Sequence, residues 1–414
     1  MSGSTRSHNI ASKLVLHGFE VNIITSFRDE NPSWKGWKVT KEDGITVHWY
    51  AVKYSNKMSH LRRILAFLVF AVVSSMRACK LKCDIIFATS TPLTICIPGI
   101  IASKFWAAPM VFEVRDLWPE IPITIGALKN SVSIFLSKSL ERIAYKNSGA
   151  IIALSPKMKA GVTATGYPTS RVVVIPNFSD INKLERVTPS FRSLNLNVDF
   201  ESSPTLLYSG TLGKVNGVGY LVDLASELGK LKSNIKIIIV GSGAEEDQIK
   251  YLAKRMGVLN KNLFVCAPVT KIESFELLKK STIASNLVID LPVLAGNSSN
   301  KFFDTLAAKK PIFLNHSGWL EDIVISKRCG ISASGLQLKQ VALLLSEKLN
   351  DPDWLSEASM NSADVAKEHF NIDDLTHSLI KVILDVLDGR NDQVYRYSIN
   401  LEAHENKKPK TQLF

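Results

Sequence analysis

The chain is poor in cysteine and has no cysteines placed for a metal or a disulfide. Cys79, Cys83, Cys96, Cys266 and Cys329 are scattered along 414 residues, with no CxxC and no histidine at zinc-ligand spacing. This argues against a zinc ribbon or a stapled fold and fits reduced thiols in a cytoplasmic protein. The eight histidines (His8, His17, His48, His60, His316, His369, His377 and His404) form no HxH or HExxH pair, and no GxSxG elbow occurs. No GKS or GKT closes a P-loop, and no clean GxGxxG supports a nicotinamide dinucleotide. Asp351-Pro352-Asp353 spells DxD, the spacing that holds a metal in some sugar transferases, but it lies between helices and reads as capping. No metal is expected. No signal peptide is expected, because Met1-Ser2-Gly3-Ser4 opens no apolar segment.

Acid is also scarce: 38 Asp and Glu against 50 Lys and Arg give a formal net charge of +12. Such a chain attracts nucleic acid, anionic lipid or phosphorylated substrates. No basic run interleaved with aromatics suggests a nucleic-acid groove, so no nucleic acid is expected as a partner. Long apolar runs are missing too. In residues 60–82 the uncharged run Ile64–Met76 is 13 residues, about 20 Å as a helix, and too short for a bilayer of about 30 Å. Its flanks Arg62, Arg63, Arg77, Lys80 and Lys82 suit anionic headgroups, so 60–82 reads either as a membrane-surface helix or as a buried helix with solvated ends.

What is present is a repeated alternation. Apolar strands are expected at 19–25, 45–52, 84–90, 109–114, 149–155 and 171–177, with helices between most of them, including 130–147 and 156–165. After a polar linker at 178–203 the pattern restarts. Strands follow at 205–210, 235–243, 262–268, 283–289, 310–315 and 329–334, and helices at 218–232, 244–256, 273–280 and 298–309. Buried strands separated by helices imply parallel sheets covered on both faces. The expected fold is α/β, with two Rossmann-like doubly wound domains facing across a cleft: 1–180, 204–370, a C-terminal helix at 371–388 and a polar, poorly ordered tail at 389–414. Such a domain normally opens on a strand, whereas this chain passes from Gly3 straight into a helix. A leading strand is therefore expected to be missing, as a late-assigned start codon or a truncated chain would leave it.

Three stretches carry candidate chemistry. In "SSNKFFDTLAAKKPIFLN" (298–315), Ser298, Ser299 and Asn300 offer caps for a helix, and Lys301 and Asp304 share one of its faces. Helix N-terminal amides and Lys301 favour an anion, and Asp304 lies about 7 Å further along the axis than Ser299. That spacing admits a nucleoside diphosphate with its ribose at Asp304; the alternative is a surface ion pair. "YSGTLGKVNGVG" (208–219) runs from a strand into Gly210, Gly213 and Gly217, with Lys214 as added charge, and "VGSG" (240–243) is either a close-approach loop or a tight turn. "FEVRDLWPE" (112–120) places Glu113, Arg115, Asp116 and Glu120 at a strand's carboxyl end, which in such sheets faces the crevice.

Together these segments resemble the retaining family 4 glycosyltransferases of GT-B fold. "SSNKFFDTLAAKKP" is similar to their NK-[LF]-F-[ED]-x-[LM]-A-A-G-K-P signature, and "LLYSGTLGKVNGVGYLVDLA" to the opening of their C-terminal domain. "FEVRDLWPE" and "AIIALSPKMKAG…VVVIPN" resemble a branch that includes O-antigen fucosaminyltransferases. The resemblance implies a metal-independent transferase of hexosyl or N-acetylhexosaminyl groups. It would take a nucleotide-sugar donor, with UDP favoured, and a lipid-diphosphate-linked saccharide acceptor, working at the inner face of the plasma membrane in O-antigen or capsule synthesis. It further implies that Asp304 binds the ribose, and that Lys301 and the amides after Ser299 and Asn300 hold the diphosphate. Gly210, Thr211, Gly213 and Lys214 would belong to a phosphate loop running to Asn216, with Gly241 and Gly243 near the base. Arg115 and Asp116 would face the donor sugar or acceptor. The chain departs from the family where the first acid of E-x7-E falls on Gly296, where the phosphate loop's usual arginine and lysine become Thr211 and Asn216, and where Lys309 replaces a helix-ending glycine. Only Ser2-Gly3-Ser4 stands for the N-terminal glycine loop. A catalytically degenerate scaffold and a nucleotide-sugar 2-epimerase are the alternatives within this fold.

Overall fold

A computed structural model describes residues 5–29, 33–53, 58, 60–90, 92–185, 200 and 203–400. Ser2-Gly3-Ser4 and most of the linker expected at 178–203 lie outside the described residues. The N-terminal half runs through α1 (Thr5–Leu16), β1 (Asn22–Asp29), β2 (Trp37–Glu42), β3 (Ile45–Lys53), α2 (His60–Ala78), β4 (Ile86–Thr89), α3 (Cys96–Trp106), β5 (Met110–Val114), α4 (Glu120–Thr124), α5 (Ser131–Lys146), β6 (Ala150–Ala153), α6 (Pro156–Ala164), β7 (Val172–Val174) and α7 (Ile181–Glu185). β4, β5, β6 and β7 pair in that order, all parallel. The sequences MVFEV, AIIA and VVV are buried throughout because helices cover both faces of this sheet.

β1, β3 and β2 form a second sheet, which is not hydrogen-bonded to the first among the described residues. Its β1–β3 pair is parallel, but β2 is antiparallel to β3 and was not expected. Asp43 (φ 52°) and Gly44 (φ 81°) make the two-residue turn between them. Two successive positive φ values are what such a hairpin needs, and Asp-Gly is the pair that supplies them.

The C-terminal half runs through β8 (Thr205–Ser209), α8 (Tyr220–Lys230), β9 (Lys236–Val240), α9 (Glu246–Arg255), β10 (Leu263–Cys266), α10 (Lys271–Lys280), β11 (Ile283–Asn286), α11 (Asn300–Ala307), β12 (Ile312–Leu314), α12 (Trp319–Ser326), β13 (Gly330–Ser332), α13 (Leu338–Lys348), α14 (Pro352–Glu368) and α15 (Ile372–Leu387). All six strands expected there form one parallel sheet in the order β10-β9-β8-β11-β12-β13. The winding direction reverses between β8 and β11. Carboxyl ends at such a switch point leave a crevice.

The chain then returns to the first domain. Leu375, Leu379, Ile380 and Ile383 of α15 share a core with Ile10, Val111, Ile152 and Val173. Residues 389–400, expected to begin a polar tail, instead form a 3-10 segment (Asn391–Tyr397) with Val394 fully buried. Arg171 donates to both carboxylate oxygens of Asp392, at 2.8 and 2.9 Å, and pins this segment to β7. Residues 401–414 lie outside the described residues. Within 60–82, Ile64, Leu65, Leu68, Val69, Val72 and Met76 are exposed while Phe67, Phe70 and Val73 are half-buried, so the helix is not buried all round.

One buried ion pair ties α1 to the sheet. Arg6 donates through Nε to Glu113 Oε1 (2.8 Å) and through its other nitrogens to the carbonyls of Pro176 and Ile175. Thr89 Oγ1 donates to Glu113 Oε2 (2.7 Å). Burial pushes the Glu113 carboxyl up, but Arg6, Arg115 and Thr89 outweigh it and hold the pKa below its usual value. Glu113 therefore works inside the domain and not in the crevice, unlike its expected grouping with Arg115 and Asp116. Arg6→Ala should lower stability by about 3–5 kcal/mol in urea unfolding, because a buried carboxylate is left unpaired. Arg6→Met with Glu113→Gln should recover most of that loss; equal losses in both variants would contradict this account.

Candidate functional site

At the switch point β8 ends in Gly210, and Lys301 from the first turn of α11 lies directly over it. A Cβ on Gly210 would stand 2.4 Å from Lys301 Cε, so only glycine leaves room for that side chain. The ammonium is 3.5 Å from Ser299 Oγ and 5.4 Å from the centroid of the Tyr208 ring. Tyr208 Oη in turn donates to the Thr211 carbonyl (2.7 Å) and fixes the start of the loop. The loop continues through Gly213 into a 3-10 turn (Lys214–Asn216), on which Lys214 is exposed. Ile289 N–H donates to the Val215 carbonyl (2.9 Å) and holds this turn against the strand beyond.

Ser299 occupies the N-cap of α11, but its side chain makes no capping bond, contrary to the expected capping by Ser298, Ser299 or Asn300. Asn130, Ser155, Thr270, Asp351 and Asn371 cap α5, α6, α10, α14 and α15 with side-chain oxygens. The first amides of α11 therefore meet no side-chain acceptor of that kind, and the positive end of the helix dipole faces the Lys301 side.

Asp304 follows one turn later, and its partner is a residue the sequence did not single out. Lys271, at the start of α10, forms an ion pair with Asp304 Oδ2 and lies 4.4 Å over the Phe275 ring. Burial pushes the Asp304 carboxyl up, while Lys271 and Lys301 pull it down. Burial lowers the Lys301 pKa to about 8, with Lys271 adding to the shift and Asp304 opposing it. Two ammonium groups and one carboxylate leave the site positive. Beside them is a small cavity lined by Ser209, Ser274, Ala284, Lys301, Asp304 and Thr305. Lys271 was legible only as one lysine inside a Thr-x-x-Glu pattern, which says nothing of where its side chain reaches.

Gly241 and Gly243, expected near the base, are positions of close backbone approach. A Cβ on Gly241 (φ 150°) would sit 1.8 Å from the Gly210 carbonyl oxygen, and one on Gly243 2.2 Å from that of Leu212. Leu212 N–H donates to the Ser242 carbonyl (3.0 Å). These glycines let the loop after β9 lie flat against the loop after β8.

The other domain meets this region at the 3-10 turn Pro292–Gly296, which contacts α4 and α6. Ser155 Oγ donates to the Gly296 carbonyl (2.8 Å), and a Cβ on Gly296 would come within 3.1 Å of Lys157 Cβ. The position expected to carry an acid is thus filled by the N-terminus of α6. Arg115 and Asp116 follow β5 and lead into α4; Arg115 N–H donates to Ser90 Oγ (2.9 Å). Burial raises Asp116 to about 6, against the pull of Arg115. Asn177 donates through Nδ2 to the Ser298 carbonyl.

A further group was not anticipated. Asn177 Oδ1, both amide atoms of Asn286, Asn297 Oδ1, Ser298 Oγ and His316 Nε2 are buried and meet no hydrogen-bond partner among the described residues. All lie on segments at the carboxyl ends of β7, β11 and β12. His316 Nδ1 is 3.0 Å from the Ser317 carbonyl, which can only accept, so Nδ1 carries the proton and Nε2 is left as an acceptor. Burial lowers the His316 pKa and keeps the ring neutral. Unpaired buried polar atoms are costly and imply a polar occupant.

Residues 3–177 match the family described as glycosyl transferase 4-like domain, and residues 195–362 match glycosyl transferases group 1. The chain is 25% identical over 267 residues to the putative colanic acid biosynthesis glycosyl transferase WcaI of Escherichia coli, covering 61% of this chain and 65% of that one. It thus spans a little under two thirds of that relative. The fold is similar to sucrose-phosphate synthase from Thermosynechococcus elongatus (TM-score 0.72, 13% identity, 93% and 94% of the two chains). It is also similar to Anabaena Alr3699/HepE solved with UDP (TM-score 0.60, 13% identity, 83% and 87% covered).

Two expectations follow from the geometry. Gly210→Ala should displace Lys301 and weaken binding of inorganic pyrophosphate with little change in melting temperature. Gly241→Ala, which meets backbone that cannot swing aside, should lower stability by about 1–3 kcal/mol or more. Equal stability of the two variants would contradict this assignment. The second concerns pH. Pyrophosphate should bind more weakly as pH rises through about 8 and Lys301 loses its proton. Near that pH, binding should take up a proton, seen as a buffer-dependent calorimetric enthalpy that disappears in Lys301→Ala. Without ligand the sign is opposite. Between about 8 and the ordinary 10.5 the unfolded lysine holds a proton that the folded one has lost, so this group's contribution to stability rises with pH.

Proposed function

We propose, from the matches of residues 3–177 and 195–362 to two glycosyl transferase families, that the chain is a group 1 glycosyltransferase that transfers a sugar from a nucleoside diphosphate donor, UDP first, to a lipid-diphosphate-linked saccharide. The setting proposed is bacterial surface polysaccharide assembly, O antigen or capsule, at the cytoplasmic face of the membrane. The observation that carries the reading is the convergence of Lys301, Gly210 and the uncapped start of α11. A UDP complex of a protein similar in fold, and a relative named for colanic acid biosynthesis, support the donor and the setting.

In this reading the diphosphate lies over Gly210 and Thr211, between Lys301 and the first amides of α11, and Asp304 accepts the ribose hydroxyls once Lys271 yields. The sugar reaches toward Asn286, Asn297 and His316, whose unpaired atoms suit hydroxyl groups. As the glycosidic C–O bond breaks, charge grows on the β-phosphate, where Lys301 and the amides meet it without a divalent cation. The departing phosphate oxygen takes the proton of the acceptor hydroxyl, whose oxygen attacks the same face of the anomeric carbon, so configuration is retained. Arg115 and Asp116 hold the acceptor or the sugar from the other domain.

One observation favours a second reading, that of a scaffold without turnover: Gly296, closed against Ser155 and Lys157, stands where the family resemblance places an acid. Transfer assays with purified lipid-linked acceptors separate the two. Lys301→Ala should lower kcat by about 10²-fold or more, as loss of a charge-stabilising donor does. Asp304→Ala should mainly raise the donor KM, because the ribose is remote from the reacting bond. Anomeric proton NMR of the product should show the donor's configuration, and activity should persist in chelator. If the folded protein fails to bind UDP, GDP, ADP or TDP at millimolar concentration, the proposal is wrong.

A further inference from the structure

The fully buried residues of α2 are small or polar, Ala71, Ser74 and Ser75, and the two serines donate back to carbonyls of their own helix, while Phe67, Phe70 and Val73 are half-buried. The residues it turns outward are large and apolar. Ile64, Leu65, Leu68, Val69, Val72 and Met76 form one stripe at helical spacing, with Leu65 62% and Met76 64% exposed. The orientation is fixed from within. Arg77 donates to His48 Nδ1 (3.1 Å from Nε, 2.8 Å from Nη2) and stacks over Trp37 at 5.6 Å.

The neighbouring helices extend this surface. α3 packs against both α2 and α5. It exposes Ile101 and Phe105, and α5 exposes Val132, Phe135, Leu136 and Ile143; Phe135 is 69% exposed. Twelve of the 25 exposed large apolar side chains among the described residues thus lie on these three helices. A few scattered apolar residues need no explanation, but a contiguous face does.

The charge on the face is of one sign. Among the residues of the three helices, α2 carries Arg62, Arg63 and Arg77, α3 carries Lys104, and α5 carries Lys138, Arg142 and Lys146. Their one acid, Glu141, is buried and takes a hydrogen bond from Tyr145 (3.0 Å). With Arg77 held inward, six cations remain to flank the apolar floor, and an anionic bilayer offers both halves of the complement: acyl chains for the apolar side chains and headgroup phosphates for the rim. No helix among the described residues is long and apolar enough to cross a membrane, so contact would be along the surface. α2 and α3 start beyond the carboxyl ends of β3 and β4, the edge of the sheet that faces the crevice.

We propose that the face formed by α2, α3 and α5 lies in the interfacial layer of an anionic lipid bilayer, with Leu65, Leu68, Phe105, Phe135 and Leu136 below the headgroups. The basic flanks of 60–82 and the apolar tips of α3 and α5 act as one surface, and the crevice opens at its edge. The inference stands apart from the transfer reaction, since it needs no donor and no turnover.

The test is flotation of the full chain with vesicles of phosphatidylcholine, with and without phosphatidylglycerol, at low and high salt. The chain should float with phosphatidylglycerol vesicles, and retain part of that binding at high salt because apolar burial is not screened. Leu65→Glu combined with Phe135→Glu should weaken binding by about tenfold or more. Both sites are exposed, so the urea midpoint and pyrophosphate affinity should stay as in the parent chain. The proposal is overturned if no vesicle binds the chain, or if the double variant binds as the parent does. It is also overturned if light scattering finds a lipid-free dimer that the same two substitutions dissociate, since the face would then belong to a second copy. Vesicle binding without uptake of any nucleoside diphosphate would sink the transfer reading alone.

Discussion

The site depends on an ammonium group held where water is partly excluded and no carboxylate is its own. Lys301 lies over a glycine, beside an aromatic ring, at the positive end of a helix whose first amides are uncapped. Asp304, the acid within reach, is already bound by Lys271. Such a pole is unfavourable in the empty protein, which is why the Lys301 pKa falls to about 8. An anion carrying two or more charges relieves the strain on all its parts at once: the lysine, the amides and the half-shared carboxylate. The same cluster would be a poor place for a neutral ligand or a cation.

The rest of the fold holds this pole in position. The buried face of α11 carries Phe302 and Phe303, and Phe303 packs edge-on against Phe370 at 4.9 Å. Phe370 sits at the second crossing between domains, where its carbonyl accepts from Ser179 N–H (2.7 Å), while Ser179 Oγ donates to the Phe303 carbonyl (2.8 Å). The second crossing therefore holds α11 itself, and the other inter-domain contacts hold Gly296 and Ser298 just before it. The two glycines of the loop after β9 serve the same end, since they allow two backbones to touch and fix the floor beneath Lys301.

Much of the architecture was legible because buried parallel strands leave a plain trace. Runs such as LLYS, IIIV and VVV are apolar on both faces, and the helices between them are amphipathic. The convergence of Gly210 with Lys301 was also foreseeable, since a strand-glycine-helix and an anion-binding helix end both lie at carboxyl edges of one sheet. What escaped was long-range pairing. Nothing local says that Glu113 meets Arg6 across 107 positions, or that Lys271 meets Asp304 across 33. β2 left little trace although Asp43-Gly44 marks its turn, because WKVTKE is largely polar and carries no buried apolar run. The burial of α2 was ambiguous in principle: an apolar helix shows in sequence which side chains share a face, but not whether that face points in.

Gly296 bears on how much of the expected chemistry this chain retains. An acid at this position would have to enter the contact between the 3-10 turn and the N-terminus of α6, where Ser155 already gives its proton to the Gly296 carbonyl. A Cβ there would stand 3.1 Å from Lys157 Cβ and 3.2 Å from Ser155 Oγ, so glycine lets the two domains meet without crowding. In the proposed reading, what is given up is a negative charge near the sugar, and what is kept is the positive charge at the phosphates. For a reaction whose barrier is dominated by charge growing on a leaving diphosphate, the second matters more than the first. Asn286 Oδ1, Asn297 Oδ1 and His316 Nε2 are neutral acceptors without partners among the described residues, and in the same reading they would serve the sugar's hydroxyls in the acid's stead. A site that orients hydroxyls with neutral groups and reserves full charge for the phosphates loses no leaving-group stabilisation when that acid is absent.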